Sequence, residues 1–191
     1  LNSGCHMADM INLEQLRAFK SQNPDIPTVC YVNSTASVKS EVDICCTSSN
    51  AINVVKSLNV PKVLFLPDTY LGTWVGKNLP EVEVITYPGF CPTHLRITVE
   101  DVLKMKEKYP KAEVLVHPEC HQTVTALGDF VGSTTQIIKH TQKSDKKSFI
   151  IVTEKGVVDR LQRDYPEKEF ILVSEKAYCQ NMKWHHLEDE A

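Results

Sequence analysis

The sequence contains no CxxC pair, although it has seven cysteines among 191 residues. Structural zinc sites commonly use cysteines at that spacing, so a zinc ribbon is disfavoured. The number of cysteines is odd, and the chain between them is rich in helix and strand patterns. Both features argue against a small secreted domain cross-linked by disulfides. We therefore expect reduced thiols and a cytoplasmic protein.

An excess of basic residues, a long apolar run and a signal-peptide layout are also missing. The net charge is −3, whereas a nucleic-acid-binding protein needs a basic face. No apolar run approaches the roughly 20 residues of a membrane span. The first residues, "LNSGCHMADM", include neither a signal peptide nor an initiator methionine. We expect no nucleic acid and no membrane as partners, and a chain that begins within a longer protein.

What the sequence does contain is an alternation of strand-like and helix-like segments, with 42% hydrophobic residues. Apolar runs predict strands at 28–32, 62–66, 82–86, 113–117, 148–152 and 169–173, and shorter ones at 43–46 and 129–131. Amphipathic stretches predict helices near 12–22, 50–58, 98–108, 134–142 and 156–164. This alternation indicates an α/β fold in which helices cover both faces of parallel sheets.

The chain also resembles itself after a shift of 86 residues. The shift aligns polar residues at predicted strand ends: Asn33 with Glu119, Asp43 with Asp129, Thr47-Ser48 with Ser133-Thr134, and Pro67-Asp68 with Thr153-Glu154. Cys179 lies two positions beyond the place that Cys91 predicts for it. We therefore predict two repeated αβα three-layer domains with short parallel sheets, at 11–88 and 89–183, with a remnant at 1–10 and a tail at 184–191.

Three cysteines stand at the boundaries of these repeats: Cys5, Cys91 and Cys179. If rotation relates the two copies, equivalent loops meet near one axis and the three thiols converge. Thiolates favour zinc, copper(I) or iron–sulfur clusters. Structural zinc usually has four protein ligands, whereas a [4Fe–4S] cluster on three cysteines keeps one iron open. The alternative is that each cysteine is a small buried hydrophobic residue.

The other cysteines carry weaker signals. Cys30 lies within a predicted strand and is expected in the core. Cys45 and Cys46 are adjacent on a short strand, so their side chains should face opposite sides. Cys120 follows "HPE", but no repeat-equivalent residue supports it as a ligand.

Polar residues follow the predicted strands at the sheet edge where ligands of parallel sheets usually bind. Hydroxyl groups at helix starts suit phosphate or carboxylate oxygens, although helix capping uses the same residue types. His117 and Glu119 alternate on "VLVHPEC", so the pleat directs both to one side, where they could share acid–base work. Structural His–Glu pairs are common, and that alternative stays open. His94, three residues after Cys91, could hydrogen-bond a substrate.

Eight motifs resemble one family, quinolinate synthase, in order and spacing. They are "GCHMADMIN", "YVNSTASVKS", "CTSSNA", "PDTYLG", "PGFCPTH", "VHPEC", "DFVGSTTQI" and "YCQNMK". The resemblance spans essentially the whole chain, and its one departure among these motifs is Thr69, where a charged residue is more usual. It implies three αβα domains about a pseudo-threefold axis, each supplying one cysteine to a [4Fe–4S] cluster. Those ligands fall on Cys5, Cys91 and Cys179.

By the same resemblance the protein is a transferase of NAD biosynthesis that condenses iminoaspartate with dihydroxyacetone phosphate to quinolinate, losing phosphate and water. L-aspartate oxidase or aspartate dehydrogenase would supply the iminoaspartate. The implied catalytic residues are His117 and Glu119. The implied substrate-binding residues are Tyr31, Val32, Asn33, Ser48, His94, His117, Pro118, Glu119, Ser133 and Thr134.

The resemblance also implies that this chain lacks the amino-terminal domain of the family. The amino-terminal domain of the family, with a His-x-Tyr pair and a serine of the active site, should precede Cys5. We therefore expect a fragment with doubtful activity of its own. Two other functions remain open: a metal-free module that binds a small dicarboxylate or phosphate, and a sugar-phosphate isomerase or lyase that uses His117 and Glu119 as acid and base.

Overall fold

A computed structural model describes residues 4–183 and contains two four-stranded sheets, both entirely parallel. The first sheet comprises β1 (Thr28–Tyr31), β2 (Ile44–Cys46), β3 (Lys62–Leu66) and β4 (Glu83–Thr86). The second comprises β5 (Glu113–Val116), β6 (Phe130–Val131), β7 (Ser148–Val152) and β8 (Glu169–Leu172). The strand orders, β2-β1-β3-β4 and β6-β5-β7-β8, are the same order shifted by four strands.

Helices cover both sheets. They are α1 (Leu13–Ser21), α2 (Ala36–Lys39), α3 (Ala51–Ser57), α4 (Thr69–Asn78), α5 (Pro92–Leu95), α6 (Val99–Lys108), α7 (Gln122–Thr125), α8 (Thr134–Lys143) and α9 (Lys155–Asp164). Short 3-10 turns occupy Ala8–Met10 and Gln180–Lys183. The predicted fold class, repeated αβα units with short parallel sheets, is confirmed. The predicted tail at 184–191 lies outside the described residues, and the domain boundaries stay a prediction.

The repeat extends to single hydrogen bonds. Asp43 Oδ2 accepts the backbone N–H of Thr28 at 2.7 Å, and Asp129 Oδ2 accepts that of Val114 at 2.8 Å. In both halves the aspartate precedes the edge strand and fixes the start of the strand beside it. These aspartates were aligned by the sequence shift, so the structure gives that alignment a physical basis.

Each sheet has a core on both faces because its inner strands are buried on both sides. Four of the five residues of β3 and of β7 are buried. Val63 and Phe65 pack on one face of the first sheet and Leu66 on the other, and Ile150 and Ile151 divide in the same way in the second. The continuous apolar runs that predicted these strands follow from this double burial.

Helix α4 was not predicted. Its sequence, "TYLGTWVGKN", has two glycines and several aromatic or β-branched residues, which are poor helix formers. It forms because Asp68 caps it and because Leu71, Gly72 and Val75 pack against the first sheet. A Cβ at Gly72 would lie 2.6 Å from Thr86 Cγ2, so the glycine permits this close approach. Within residues 4–183, no helix combines the length and apolarity that a membrane crossing requires.

The burial pattern predicts the effect of truncating a core leucine. Leu115 on β5 is fully buried, whereas Leu103 on α6 is 49% exposed. Leu115→Ala should lower the free energy of unfolding by about 2–5 kcal/mol, because it removes buried methyl groups and leaves a cavity. The same substitution at Leu103 should change it by less than about 1 kcal/mol. Urea unfolding of both variants measures the difference, and equal losses would show that β5 does not lie in the core.

Candidate functional site

A cavity of about 930 Å³ lies at the carboxyl ends of the strands of both sheets. The 3-10 turn Ala8–Met10 and the loops that carry the cysteines complete its wall. Ten of the residues predicted from the sequence line it: Cys5, Tyr31, Asn33, Ser48, Cys91, His94, His117, Glu119, Thr134 and Cys179. Side chains that are up to 174 positions apart in the chain therefore face one space.

Three predicted residues do not line this cavity. Val32 is 42% exposed, and its backbone bonds to Cys46 and Lys39. Pro118 is buried in the turn after β5. The Ser133 hydroxyl is also buried and accepts the N–H of Gln136 as the cap of α8. Capping therefore accounts for Ser133, and its neighbour Thr134 is the residue that reaches the cavity.

Two buried histidines and a carboxylate form the innermost part of the site. The rings of His94 and His117 stack with their centroids 4.5 Å apart. His94 Nδ1 lies 3.0 Å from Glu119 Oε2, although it has no well-directed hydrogen bond. His94 Nε2 lies 2.9 Å from Thr153 Oγ1. His117 Nδ1 accepts the N–H of Glu119 at 3.3 Å, which favours the neutral tautomer with its proton on Nε2.

The charges of this group follow from burial and close contact. The pKa of His117 is lowered to about 4, chiefly by burial and also by His94, while Glu119 opposes the shift. Burial also acts against a charged His94, yet the Cys91 sulfur and the Glu119 carboxylate raise the pKa of His94 well above its usual value. Burial alone would raise the pKa of Glu119, but the two histidines lower it. At neutral pH the group is a His94–Glu119 ion pair beside a neutral His117.

Tyr31 provides a hydroxyl group that stays protonated. Burial and the neighbouring Glu119 raise the pKa of the Tyr31 phenol, and the Ser48 hydroxyl acts in the opposite direction. The phenol is therefore a hydrogen-bond donor at any physiological pH.

The three predicted ligand cysteines are free thiols and half buried. Burial raises the pKa of Cys5, and the nearby Cys91 adds to this effect. Asn33 Nδ2 lies 3.9 Å from Cys5 Sγ. Cys91 stands at the start of α5, followed by Pro92 at the first helical position. One sulfur, nitrogen or oxygen atom each of Cys91, His94 and Glu119 lies within 4.8 Å of the others, so these three side chains could also hold a single metal ion.

The remaining cysteines do not line this cavity. Cys30 and Cys120 are buried, and burial raises their pKa values to about 11 and about 12. Cys46 is buried while Cys45 is exposed, which confirms that they face opposite sides of β2.

Several lining residues were not chosen from the sequence. Thr153 and Glu154 could have been found, because the sequence shift aligns them with Pro67-Asp68. Arg160 and Lys183 add positive charge to the wall, but no motif marks them. Both lie on helical segments whose orientation depends on the tertiary fold.

The fold and the cavity define a class of protein. It is an α/β protein with a small-ligand site at the carboxyl ends of parallel strands, and thiols and hydrogen-bond donors line that site. The sequence profile of a family described as "NadA: Quinolinate synthetase A protein" matches residues 1–190. The chain therefore belongs to the quinolinate synthetase A family.

Curated relatives named quinolinate synthase agree with this family. One from Dehalococcoides mccartyi strain CBDB1 is 52% identical over 181 residues, which are 95% of this chain and 60% of the relative. One from Alkaliphilus metalliredigens strain QYMF is 50% identical over 182 residues, with the same two shares. One from Aquifex aeolicus strain VF5 is 50% identical over 177 residues, or 93% of this chain and 55% of the relative. The chain thus spans 55–60% of the length of these relatives.

The neutral, buried state of His117 predicts a pH-dependent stability. The pKa of His117 is about 4 in the folded chain, against about 6.5 when unfolded. The unfolded state therefore binds the proton first as pH falls, and stability that is present above about pH 6.5 is lost towards pH 4. The loss attributable to His117 should be up to about 3 kcal/mol.

Urea unfolding between these pH values measures this effect, with His117→Asn as the reference. Asparagine keeps an acceptor for the Glu119 N–H but does not titrate. The free energy of unfolding of the unchanged chain should fall more steeply than that of the variant. Parallel curves would show that His117 is not buried in the neutral form.

Proposed function

We propose that this chain carries the cluster and acid–base parts of a quinolinate synthase of de novo NAD biosynthesis. The substrates would be iminoaspartate and dihydroxyacetone phosphate, and an enzyme such as L-aspartate oxidase or aspartate dehydrogenase would supply the former. The observation that carries the proposal is the convergence of Cys5, Cys91 and Cys179 on the cavity that also contains His117 and Glu119. Membership of the family and the names of the curated relatives support it.

The thiols fit a [4Fe–4S] cluster by their chemistry and placement. All three are free, half buried and directed to one cavity, which is large enough for a cluster and a small substrate. Soft thiolate ligands select iron–sulfur clusters over hard cations. When bound, a cluster on three cysteines supplies one open iron that can act as a Lewis acid.

The wall of the cavity suits substrates with carboxylate and phosphate groups. Tyr31, Asn33, Ser48 and Thr134 present hydroxyl or amide donors. Because the Tyr31 phenol stays protonated, it can donate to a carboxylate without repulsion. We assign Tyr31, Asn33 and Ser48 to the iminoaspartate carboxylates and Thr134 to an anionic group. Val32, Pro118 and Ser133 would act only through the backbone positions of these neighbours.

His117 and Glu119 are the groups we assign to proton transfer. The neutral His117 ring carries its proton on Nε2, so it can donate to a substrate oxygen or nitrogen. The Glu119 carboxylate stays ionised beside His94 and can accept a proton from the substrate. His94, held by Thr153, keeps that carboxylate charged and in place.

The chain spans 55–60% of the length of its relatives, and we propose that the whole activity requires further residues. We propose that the further residues of the complete protein supply the remaining wall of the cavity, in a third domain related to 11–88 and 89–183. On this view the chain alone carries the three cluster cysteines but is inactive as a synthase.

Anaerobic reconstitution with iron and sulfide tests the cluster. The unchanged chain should take up about four irons and gain visible absorbance. Single variants Cys5→Ser, Cys91→Ser and Cys179→Ser should each lose most of both. Cys45→Ser is the control, because Cys45 is an exposed thiol that does not line the cavity, and it should retain the cluster.

Two other outcomes would each favour a different function. Binding of one metal ion that survives Cys5→Ser and Cys179→Ser but is lost in Glu119→Gln would assign the site to a mononuclear metal held by Cys91, His94 and Glu119. Uptake of no iron by the chain or by the complete protein would favour the metal-free anion-binding module. Activity on a sugar phosphate in the triple serine variant would favour the isomerase.

A neighbouring pair of threonines tests the anion-binding wall. Thr134 lines the cavity, whereas Thr135 is exposed and does not. Thr134→Val should weaken binding of quinolinate or inorganic phosphate about tenfold, because one hydrogen bond to an anion is lost. Thr135→Val should leave the affinity unchanged. Isothermal titration calorimetry measures both, and equal affinities of the two variants would remove Thr134 from the site.

A further inference from the structure

Each half of the chain contains a buried carboxylate that bonds to two separate segments. Asp68 Oδ1 accepts the N–H of Leu71 at 2.6 Å and so caps α4, while Oδ2 accepts the N–H of Cys91 at 3.0 Å. Glu154 Oε2 accepts the N–H of Gly156 at 2.7 Å and caps α9, while Oε1 accepts the N–H of Cys179 at 3.3 Å. In both halves, one carboxylate oxygen accepts an N–H from the first turn of a helix, and the other accepts the backbone N–H of a cysteine.

A backbone hydrogen bond accompanies each carboxylate. Thr69, the residue after Asp68, donates its N–H to the carbonyl of Gly89 at 2.8 Å. Lys155, the residue after Glu154, donates its N–H to the carbonyl of Ala177, also at 2.8 Å. Gly89 and Ala177 each lie two residues before the cysteine. The cysteine loop is thus held at two points, and we call each such arrangement of carboxylate and adjoining N–H a clamp.

The two clamps differ in the acid and in the length of the loop before the cysteine. The cysteine lies 23 residues after the carboxylate in the first half and 25 in the second. The two extra residues lie between β8 and Ala177, because the backbone hydrogen bonds at Gly89 and Ala177 are equivalent in the two halves. In the first clamp the backbones are close enough that a Cβ at Gly89 would lie 2.4 Å from the Pro67 carbonyl oxygen, so only glycine fits there.

Helix capping alone does not explain these carboxylates. The other side-chain caps of helices within residues 4–183 are Asn12, Thr35, Thr98, His121 and Ser133, none of which is acidic. A neutral cap accepts one N–H and would leave the cysteine amide unpaired. Burying a carboxyl group is costly unless its oxygens are hydrogen-bonded, and both oxygens of each clamp carboxylate accept an N–H.

We propose that Asp68 and Glu154 are positioning residues, which hold the Cys91 and Cys179 loops so that both thiols face the cavity before a metal group binds. The proposal rests on the proposed function in so far as the thiols are ligands. Hydrogen bonds of ligand-bearing segments commonly govern metal affinity, because they fix the ligand in its binding geometry.

Asp68→Asn and Glu154→Gln test the proposal in the metal-free, reduced chain, because each variant should affect only the cysteine of its own clamp. Each substitution keeps one oxygen for the helix cap and places an amide N–H₂ where the second acceptor was. Asp68→Asn should speed alkylation of Cys91 by iodoacetamide about tenfold, because the loop loses the hydrogen bond from the Cys91 N–H to Asp68 Oδ2, and should leave Cys179 unchanged. Glu154→Gln should do the reverse. Peptide mass spectrometry reports both rates, with the exposed Cys45 as internal reference.

Cluster retention is the second readout. After anaerobic reconstitution, both variants should lose iron to a chelator about 10–100 times faster than the unchanged chain. Thr98→Ala is the matched control, because it removes the side-chain cap of α6 without touching a cysteine loop. It should lower the melting temperature as the clamp variants do, while its rate of iron loss and its cysteine alkylation rates stay unchanged.

The outcomes separate this proposal from the proposed function. If the unchanged chain takes up no iron, the cluster assignment fails, while the crossed alkylation pattern still supports the clamps. If each variant speeds the alkylation of Cys91 and Cys179 equally, or changes neither rate, the clamps do not position the thiols, even where a cluster assembles.

Discussion

The parallel pairing of the strands is the constraint on which the rest of this structure depends. Parallel neighbours require a crossover after every strand, so all strands of a sheet end at the same edge. Each strand end is then free to carry polar side chains into a common space. Two such sheets, with the same strand order, bring Tyr31 and His117 to one cavity although they lie far apart in the chain.

Burial of the innermost side chains determines the protonation states in that cavity. His94, His117 and Glu119 are almost fully enclosed, so each must find its partners within the protein. The result is one ion pair and one neutral imidazole rather than three independent titrating groups. The same requirement explains the contacts of Asp68 and Glu154, each of which accepts a hydrogen bond on both of its carboxylate oxygens.

The sequence predicted the elements whose patterns are local. The eight strands within residues 4–183 lie where apolar runs indicated them, most clearly β3 and β7, because buried parallel strands need continuous hydrophobic residues. Helix α4 was missed since its stability comes from a cap and from glycine contacts with the sheet, neither of which gives an amphipathic pattern.

The convergence of Cys5, Cys91 and Cys179 on one cavity could be predicted from the repeat. The presence of Arg160 and Lys183 there could not, because it depends on how their helical segments are oriented. The motif alone could not separate the roles of Ser133 and Thr134. The Ser133 hydroxyl caps α8, whereas Thr134 lines the cavity.

The longer loop before Cys179 has a consequence for comparing the two halves. The acids differ, and so do the capped amides, Leu71 in the first half and Gly156 in the second, yet each acid also accepts the N–H of its cysteine. The two additional residues of the second half precede Ala177, and the backbone hydrogen bond at Ala177 restores the register at the cysteine. A residue-by-residue comparison of the halves therefore has to place its gap between β8 and Ala177 for Cys91 and Cys179 to align.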